Sequence, residues 1–188
     1  EYDHFIAIRF SNIFPSSFEK FGIKKSELDK YGLSIQELNS IKDLGIKQYF
    51  FSYYHKWIPQ ENYYYAVEKT GFEANPVRNQ GTFSKYASLD DQLDGFHYYL
   101  SYIKFGLGRC TADAAHEIRD GHITRDEATA LVKKYDGEFP IKYYQEFLKY
   151  CDITEEEFNE VVDSWRGENI WKFQNNEWIL KNPVWLEK

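Results

Sequence analysis

Hydrophobic residues recur along this chain with two periods, one typical of helices and one typical of strands. The helical period is clearest after Ser34, Thr124 and Thr154, and each of these residues is followed three positions later by a glutamate. A Ser/Thr-x-x-Glu pattern before an apolar run predicts a capping box, in which both side chains bond to free backbone N–H groups. The pattern therefore predicts that a helix begins at each of these residues.

Residues that are typical of the starts and ends of helices predict further helices. Residues 61–69 have helical character and are followed by Gly71, and glycine readily takes the left-handed conformation that closes a helix. Ser88 is predicted to cap a helix that runs to about Phe105, and Thr111 to cap one that runs to Arg119. The chain beyond residue 88 is therefore predicted to be mainly helical.

Two segments favour strands because aromatic residues are dense in them. The run "IKQYFFSYY" (residues 46–54) is bounded by turn-forming residues, and the tail "IWKFQNNEWILKNPVW" alternates aromatic and polar residues around Asn175 and Asn176. The first predicts a strand and the second a β-hairpin. Residues 72–88 predict a long irregular loop, and such loops in compact domains are often functional or mobile.

This order of elements predicts an α/β fragment with a predominantly α-helical C-terminal region. Residues 1–71 contain a predicted helix, strand and helix, which is typical of the end of an α/β layer of the nucleotide-binding type. Residues 72–188 are predicted to form the helical region with its terminal hairpin. We expect the two parts to make one compact unit, because 188 residues are too few for two comfortable domains.

The composition narrows the classes of function. The formal net charge of -7 argues against nucleic acid as a partner, because phosphate contacts are made by Lys and Arg. No apolar run approaches the ~20 residues that span a bilayer, so we expect no membrane span and a cytoplasmic protein. Cys110 and Cys151 have no further ligands at metal-binding spacing, so we expect reduced thiols and no metal site.

The turn "IKFGLGR" (residues 103–109) is the first candidate for chemistry. Gly106 and Gly108, followed by Arg109, could bring backbone N–H groups to an anion at the start of the helix predicted from Thr111. The alternative is a helix junction, in which the two glycines end one helix and allow a tight turn into the next. The residues by themselves favour the junction, because the turn lacks the third glycine of a dinucleotide-binding motif.

For the other candidate residues, a purely structural explanation is as simple as a functional one. Asp113 and His116 share one helix face and could serve acid–base chemistry, although a solvated helix face has the same pattern. Asp90, Asp91 and Asp94 resemble a metal-binding acid cluster, but acids at the start of a helix are favoured by its dipole in any protein. The aromatic run "YYHKWIPQENYYY" (residues 53–65) could stack on a sugar or base, or pack in a core.

Three segments carry a resemblance that is more specific than any of these motifs. They are "SYYHKWIPQENYYYAVEKTGFE", "QGTFSKYASLDDQLDGFHYYLSYIKFGLGR" and "DAAHEIRDGHITRDEATALVKKYDGEFP", which follow one another between about residue 30 and about residue 165. In order and spacing they resemble the C-terminal half of the N-acetyl sugar amidotransferase family. That family acts in the biosynthesis of lipopolysaccharide (LPS) O-antigen and flagellin sugars.

The resemblance implies an ATP-using enzyme of the PP-loop pyrophosphatase superfamily, with an adenine nucleotide α-hydrolase-like fold. Such an enzyme converts an acetamido group of a nucleotide-linked sugar into an acetamidino group, with ammonia from a separate glutaminase subunit. An amide carbonyl is a poor electrophile, so ATP, with Mg²⁺, adenylates its oxygen and ammonia then displaces AMP. The charge that develops in this exchange requires cationic and N–H donors.

The chain departs from the family in two ways that bear on activity. It has neither an SGGKDS-type PP-loop nor N-terminal cysteine pairs, and it contains no methionine. We therefore expect it to be part of a longer enzyme whose PP-loop half is missing. We also expect that these residues alone neither bind the ATP pyrophosphate nor catalyse the reaction.

The resemblance also implies substrate-binding residues, because the glycine turn and its ionic neighbours fall on family motifs. Arg109 and Lys104 are expected to face one cavity and to contact a phosphate or carboxylate of the nucleotide-linked sugar. The whole implied set is Lys104, Gly106, Gly108, Arg109, Thr111, Asp113, Glu117 and Arg119. Further candidates, with no catalytic role assigned to any residue, are His55, Trp57, Asp91, His97 and His116.

The alternative to a substrate-recognising role is a helical assembly module without reactive groups. In that reading the C-terminal region docks the glutaminase subunit or mediates dimerisation. Retention of a nucleotide-linked sugar by the isolated chain distinguishes the two, since only the first requires it.

Overall fold

The structure of the chain is a computed structural model that describes residues 15–28, 35–45, 47 and 49–186. Packing divides the chain into two units between Trp57 and Ile58, and each unit is described by itself. The sequence analysis placed the boundary later, after residue 71. The described residues are predominantly helical with one two-stranded sheet, as expected for the C-terminal region.

The first unit contains only short helical elements among its described residues. They are a 3₁₀-helix at Pro15–Phe21, helix α1 at Lys25–Leu28, helix α2 at Ile35–Asp43 and a 3₁₀-helix at Phe51–Tyr53. Helix α2 agrees with the helix predicted after Ser34, but Ser34 itself lies outside the described residues. Its predicted capping box therefore stays a prediction.

The strand predicted over residues 46–54 is wrong. The backbone N–H groups of Tyr53 and Tyr54 donate to the carbonyl oxygens of Phe50 and Phe51, so the segment coils into a 3₁₀-turn. The predicted helix–strand–helix layer consequently has no strand among its described residues. Aromatic residues favour strands only where a neighbouring strand supplies hydrogen bonds and a packed face, and Tyr53 instead stays 81% exposed.

The second unit begins with helix α3 at Pro59–Thr70, which confirms the helix predicted over residues 61–69. Its start is earlier because proline, with a fixed φ and no N–H group, suits the first helical position. Gly71 closes the helix in the left-handed conformation, as predicted. Residues 72–88 contain no helix or strand, and the stacked rings of Tyr63 and Tyr86, 4.6 Å apart, attach this loop to α3.

Five further helices follow. Their bounds are Asp94–Phe105 for α4, Arg109–Asp120 for α5, Arg125–Tyr135 for α6, Tyr144–Cys151 for α7 and Glu155–Ser164 for α8. The predicted capping boxes of Thr124 with Glu127 and of Thr154 with Glu157 are confirmed at the starts of α6 and α8.

The caps predicted at Ser88 and Thr111 are wrong. Ser88 lies in the loop with a φ of 53°, and α4 begins only after Leu93, whose N–H group donates to Asp91 Oδ1 at 2.6 Å. Helix α5 begins directly after Gly108, so Thr111 lies within its first turn. At α5 the side chain of Asp136, outside the helix, accepts the N–H bonds, whereas no side chain caps α4. In neither place does the nearby Ser or Thr set the start of the helix.

Two buried clusters form the core of the second unit. One joins helices α4, α7 and α8, and the other joins the α5–α6 pair to Trp185 and to Phe83 of the loop. The buried members of the first cluster are Phe96, Ile103, Tyr144, Leu148, Phe158 and Val162. Those of the second are Cys110, Ala114, Ala128 and Val132.

The C-terminal hairpin is confirmed. Strands β1 (Trp171–Gln174) and β2 (Glu177–Leu180) pair antiparallel, and Asn175 and Asn176 make the turn with positive φ angles. The Trp171 indole N–H donates to the Ile103 carbonyl oxygen at 2.6 Å, which fixes the hairpin on the end of α4. A Cβ at Gly106 would lie 2.8 Å from Ile170 Cγ2, so only glycine permits this approach.

The two thiols differ enough in environment to test the packing of α5. Cys110 is fully buried, and burial raises the pKa of its thiol to about 12, whereas Cys151 is exposed at the end of α7. Only the thiolate reacts with a disulfide reagent. We expect Ellman's reagent at neutral pH to modify Cys151 alone in the native chain and both thiols in guanidinium chloride. Equal native reactivity of the Cys151→Ser and Cys110→Ser variants would contradict this packing.

Candidate functional site

The N-terminus of α5 is occupied by a carboxylate of the chain itself. Asp136 follows α6 and accepts from the Gly108 N–H at 3.0 Å, the Thr111 N–H at 3.1 Å and the Thr111 hydroxyl at 2.5 Å. A Cβ at position 108 would lie 2.6 Å from Asp136 Oδ1, so the carboxylate needs glycine there. Free N–H groups at a helix start attract an anion, and here that anion is Asp136.

This arrangement supports the helix-junction interpretation of the glycine turn. Gly106 ends α4 in the left-handed conformation and Gly108 precedes the first residue of α5, which is the tight turn between helices. Because Asp136 already uses the N–H groups of Gly108 and Thr111, an anionic ligand would have to displace it. The predicted phosphate position at this turn is therefore filled.

Arg109 belongs to a chain of polar contacts between the loop and two helices. Its Nε donates to Asp113 Oδ1 at 2.9 Å, and one of its terminal nitrogens donates to the Tyr98 hydroxyl at 2.6 Å. The other oxygen of Asp113 accepts from the hydroxyl of Thr82, a buried loop residue, at 2.6 Å. These contacts hold the guanidinium in place and offset its charge with the Asp113 carboxylate.

The other charged residues of α5 form local pairs. Glu117 is buried, and its carboxylate lies 2.6 Å from Nδ1 of His122 in the turn after the helix. Arg119 contacts His116 one turn away on the exposed face. The predicted Asp113–His116 acid–base pair is not formed, because Asp113 bonds to Arg109 and Thr82 while His116 contacts Arg119.

Lys104 lies away from Arg109, contrary to the expected shared cavity. Its Nζ is 5.5 Å from the ring centroid of Trp165 and 5.4 Å from that of Phe105, on the exposed last turn of α4. Arg109, by contrast, contacts Tyr98 and Asp113.

A cavity of about 570 Å³ lies between the loop and the starts of α4 and α5. This volume is within the range of small-molecule sites, about 300–1,000 Å³. Loop residues form one wall, and Pro140, Lys142 and Tyr143, which precede α7, form another; the last two belong to a 3₁₀-helix at Ile141–Tyr143. Of the predicted binding residues, Arg109 and Asp91 line the cavity.

The remaining predicted residues do not line this cavity. Those of the second unit are Lys104, Gly106, Gly108, Thr111, Asp113, Glu117, Arg119, His97 and His116. His55 and Trp57 belong to the first unit, where the His55 ring stacks on Phe51 at 4.8 Å and Trp57 is exposed. Among the described residues, no three His, Cys, Asp or Glu side chains are grouped so that they could hold a metal ion.

A second ion pair fixes the loop wall of the cavity. Arg78 makes a bidentate contact with Glu138 at 2.6 and 2.8 Å, and Glu138 also accepts from the Gly81 N–H at 2.8 Å. The bond to Arg78 holds the pKa of the Glu138 carboxyl below its usual value, and the same bond raises the pKa of Arg78. The Arg78 guanidinium also lies 4.4 Å from the centroid of the Tyr135 ring, so it is held on two sides.

Sequence reasoning missed the residues that build the cavity. Arg78 and Lys142 lie outside the three quoted segments, and Glu138 lies in the third but was not singled out. Only the prediction of a functional loop pointed towards Arg78. Asp136 did carry a usable signal, since it ends α6, where the helix dipole disfavours an acid. An acid in that position requires a partner elsewhere in the fold.

The cavity and both buried clusters fall largely within one family match. A sequence model described as the C-terminal domain of WbpG-like LPS biosynthesis proteins matches residues 80–184, which is more than half of the chain. The chain belongs to this family. The match includes helices α4 to α8 and the hairpin, so the family domain coincides with most of the second unit.

One further comparison and one property of the helices complete the description of this family member. A search of curated proteins gave no match to the chain. None of the helices in the described residues is long and apolar enough to cross a membrane.

The contacts of Asp136 predict that replacing one of its carboxylate oxygens by an amide nitrogen lowers the stability of the fold. In Asp136→Asn, the amide nitrogen replaces an acceptor and faces N–H or O–H donors at the start of α5. We expect the free energy of unfolding to fall by about 1.5–3 kcal/mol, measured by urea denaturation. Glu160→Gln, on the exposed face of α8, is the matched control and should change stability little. Equal stability of the two variants would show that Asp136 does not hold α5.

The Arg78–Glu138 pair predicts a pH dependence of stability. Because the folded-state pKa of Glu138 is below its ordinary value of 4.5, the pair's contribution is present above pH 4.5 and is lost as the pH falls below it. The melting temperature of Glu138→Gln should therefore fall less steeply with acid than that of the unmodified chain. Glu177→Gln is the control, and parallel acid profiles for all three proteins would refute the contribution of the pair.

Proposed function

We propose that this chain is the substrate-recognising C-terminal part of an ATP-dependent N-acetyl sugar amidotransferase. The enzyme converts an acetamido group of a nucleotide-linked sugar into an acetamidino group for LPS O-antigen or flagellin glycan biosynthesis. A glutaminase subunit supplies the ammonia, and the nucleotide-linked substrate places the reaction in the cytoplasm. Membership of the WbpG-like LPS biosynthesis family supports the process, and the resemblance of the three quoted segments supports the reaction class.

The cavity in the second unit, most of which the family model matches, is the observation that supports a substrate-recognising role. Its walls are preorganised, because Arg78 and Arg109 are held by Glu138 and Asp113 before any ligand arrives. Preorganised walls reduce the ordering cost of binding, which is an advantage for a site that must orient one acetamido group. A module that only docked another protein would not need such a cavity.

The described residues do not fit ATP with Mg²⁺. The chain has no SGGKDS-type loop, the N–H groups at the start of α5 are used by Asp136, and the described residues contain no group of metal ligands. We therefore assign activation by ATP to residues outside the described part of the enzyme. The role of this unit is to hold the sugar so that its acetamido group is presented to that activating part.

A genetic experiment tests the proposed reaction. In a bacterium that encodes this chain, deletion of the coding sequence should leave acetamido groups where the parent's LPS or flagellin glycan carries acetamidino groups. The wild-type gene should restore them, whereas Gln92→Trp, which puts a large ring at the cavity rim, should restore much less. Nuclear magnetic resonance and mass spectrometry of the purified glycans measure the two groups.

Gln174→Trp is the matched control, because it puts the same ring on the exposed β1 strand, away from the cavity. It should restore the acetamidino groups fully. An acetamidino content that is the same in parent and deletion strains, or absent from both, would contradict the proposed function.

A further inference from the structure

An open groove of about 1010 Å³ runs along α6, and it shares no lining residue with the cavity between the loop and the starts of α4 and α5. One side of this α6 groove is formed by residues 182–186, which follow strand β2. The other side is the exposed face of α6, with Arg125, Asp126, Thr129, Ala130 and Lys133.

The segment 182–186 is attached to the core at one residue and exposes apolar side chains at two others. Trp185 packs against the buried cluster shared by α5 and α6. Leu186 stays 58% exposed and Val184 38% exposed, and both line the groove, as does the exposed Ala130. Apolar side chains grouped at the surface in this way are typical of a face that another protein covers.

The charges of the α6 groove have opposite signs at its two ends. Asp126 lies in the first turn of α6 and Lys133 in the last, and both residues are exposed. Seven residues separate them, which is nearly two helical turns, so they share one face and lie ~10 Å apart along the helix axis. That distance is too great for an ion pair within α6. Neither side chain has a hydrogen bond or an ion pair among the residues that the structure describes.

A second copy of the same helix, running antiparallel, matches these charges. In a contact around a two-fold axis, if residue i contacts residue j of the other copy, then j also contacts i. Asp126 of each copy then lies opposite Lys133 of the other, and the axis passes between positions 129 and 130. Thr129 and Ala130 are small, so the two helices can approach closely there. A partner with charges of one sign would match only one end of the groove.

We propose that the α6 groove is an interface between two copies of this chain, held by two Asp126–Lys133 ion pairs and by the apolar residues of segment 182–186. Arg125 adjoins Asp126 but is turned ~100° away from it around the helix, so it lies at the rim of this contact. One helix and one short segment from each copy make a smaller contact than the ~1,200–2,000 Å² of a standard interface, so we expect a Kd in the micromolar range. This proposal goes beyond the proposed function and does not rest on it.

Sedimentation velocity of the 188-residue chain tests the interface. We expect a dimer fraction that rises with concentration up to about 0.5 mM. Lys133→Asp puts an acid opposite Asp126 at both ends of the contact, and it should raise the dimer Kd at least about tenfold. Lys149→Asp is the matched control, because it makes the same charge change in the last turn of another helix, α7, and should leave the Kd unchanged.

A mixture of two variants tests the antiparallel pairing itself. Asp126→Lys should also weaken self-association, because it puts two lysines opposite each other at both ends. When Asp126→Lys is mixed with Lys133→Asp, one copy carries both lysines and the other both acids, so each ion pair is restored. The mixture should therefore form heterodimers about as tightly as the unmodified chain forms dimers.

A second substitution covers the case in which Asp126→Lys does not fold, since a lysine in the first turn of a helix opposes its dipole. Ala130→Glu keeps a good helix former on the exposed face of α6 and puts two carboxylates next to the axis. It should raise the dimer Kd as Lys133→Asp does. Circular-dichroism melting shows which variants are folded.

Three results would overturn the proposal. The first is a chain that stays monomeric at every concentration. The second is a dimer whose Kd is the same in Lys133→Asp and Ala130→Glu as in the unmodified chain, because its interface then lies elsewhere. The third is a mixture of the two folded charge variants that associates no better than either alone. None of these results bears on the acetamidino content of the deletion strain, so the two proposals fail separately.

Discussion

The second unit depends on the carboxylate of Asp136 at the start of α5. This carboxylate accepts hydrogen bonds from three donors of Gly108 and Thr111. Asp136 follows the C-terminus of α6, where the helix dipole does not stabilise a negative charge. These hydrogen bonds therefore connect the start of α5 to the end of α6, the two helices that share the second buried cluster. The position of α5, and with it that of Arg109, depends on this contact together with the Cys110 N–H bond to the Gly81 carbonyl oxygen and the buried cluster shared with α6.

Carboxylates from elsewhere in the fold also hold the irregular loop of residues 72–88 in place. Glu138 binds Arg78 and the Gly81 N–H, and Asp113 binds Thr82, so carboxylates on the helical side satisfy the loop's donors. A loop without repeating backbone bonds needs such external acceptors, because buried N–H and guanidinium groups without partners are costly. The cavity is the space between this loop, α4 and the residues that precede α7.

Rigid ion pairs in the wall change what the cavity can recognise. In the lining, Arg78 and Arg109 are paired with Glu138 and Asp113, and the charged side chains left over are those of Lys142, Asp90 and Asp91. The two arginines are therefore held in place before any ligand binds, and their charge is offset by the carboxylates.

The sequence alone determined the elements whose causes are local. The capping boxes at Thr124 and Thr154, the end of α3 at Gly71 and the Asn175–Asn176 hairpin need only neighbouring residues, and each was predicted. The sequence also identified the family. It could not place the start of α5 or the partners of Arg109, because these depend on Asp136 and Asp113 meeting their donors across the fold. Charge compensation between residues as distant as Arg78 and Glu138 exists only in the tertiary structure, because the two side chains are 60 positions apart in the sequence and meet only when the loop packs against the chain that follows α6.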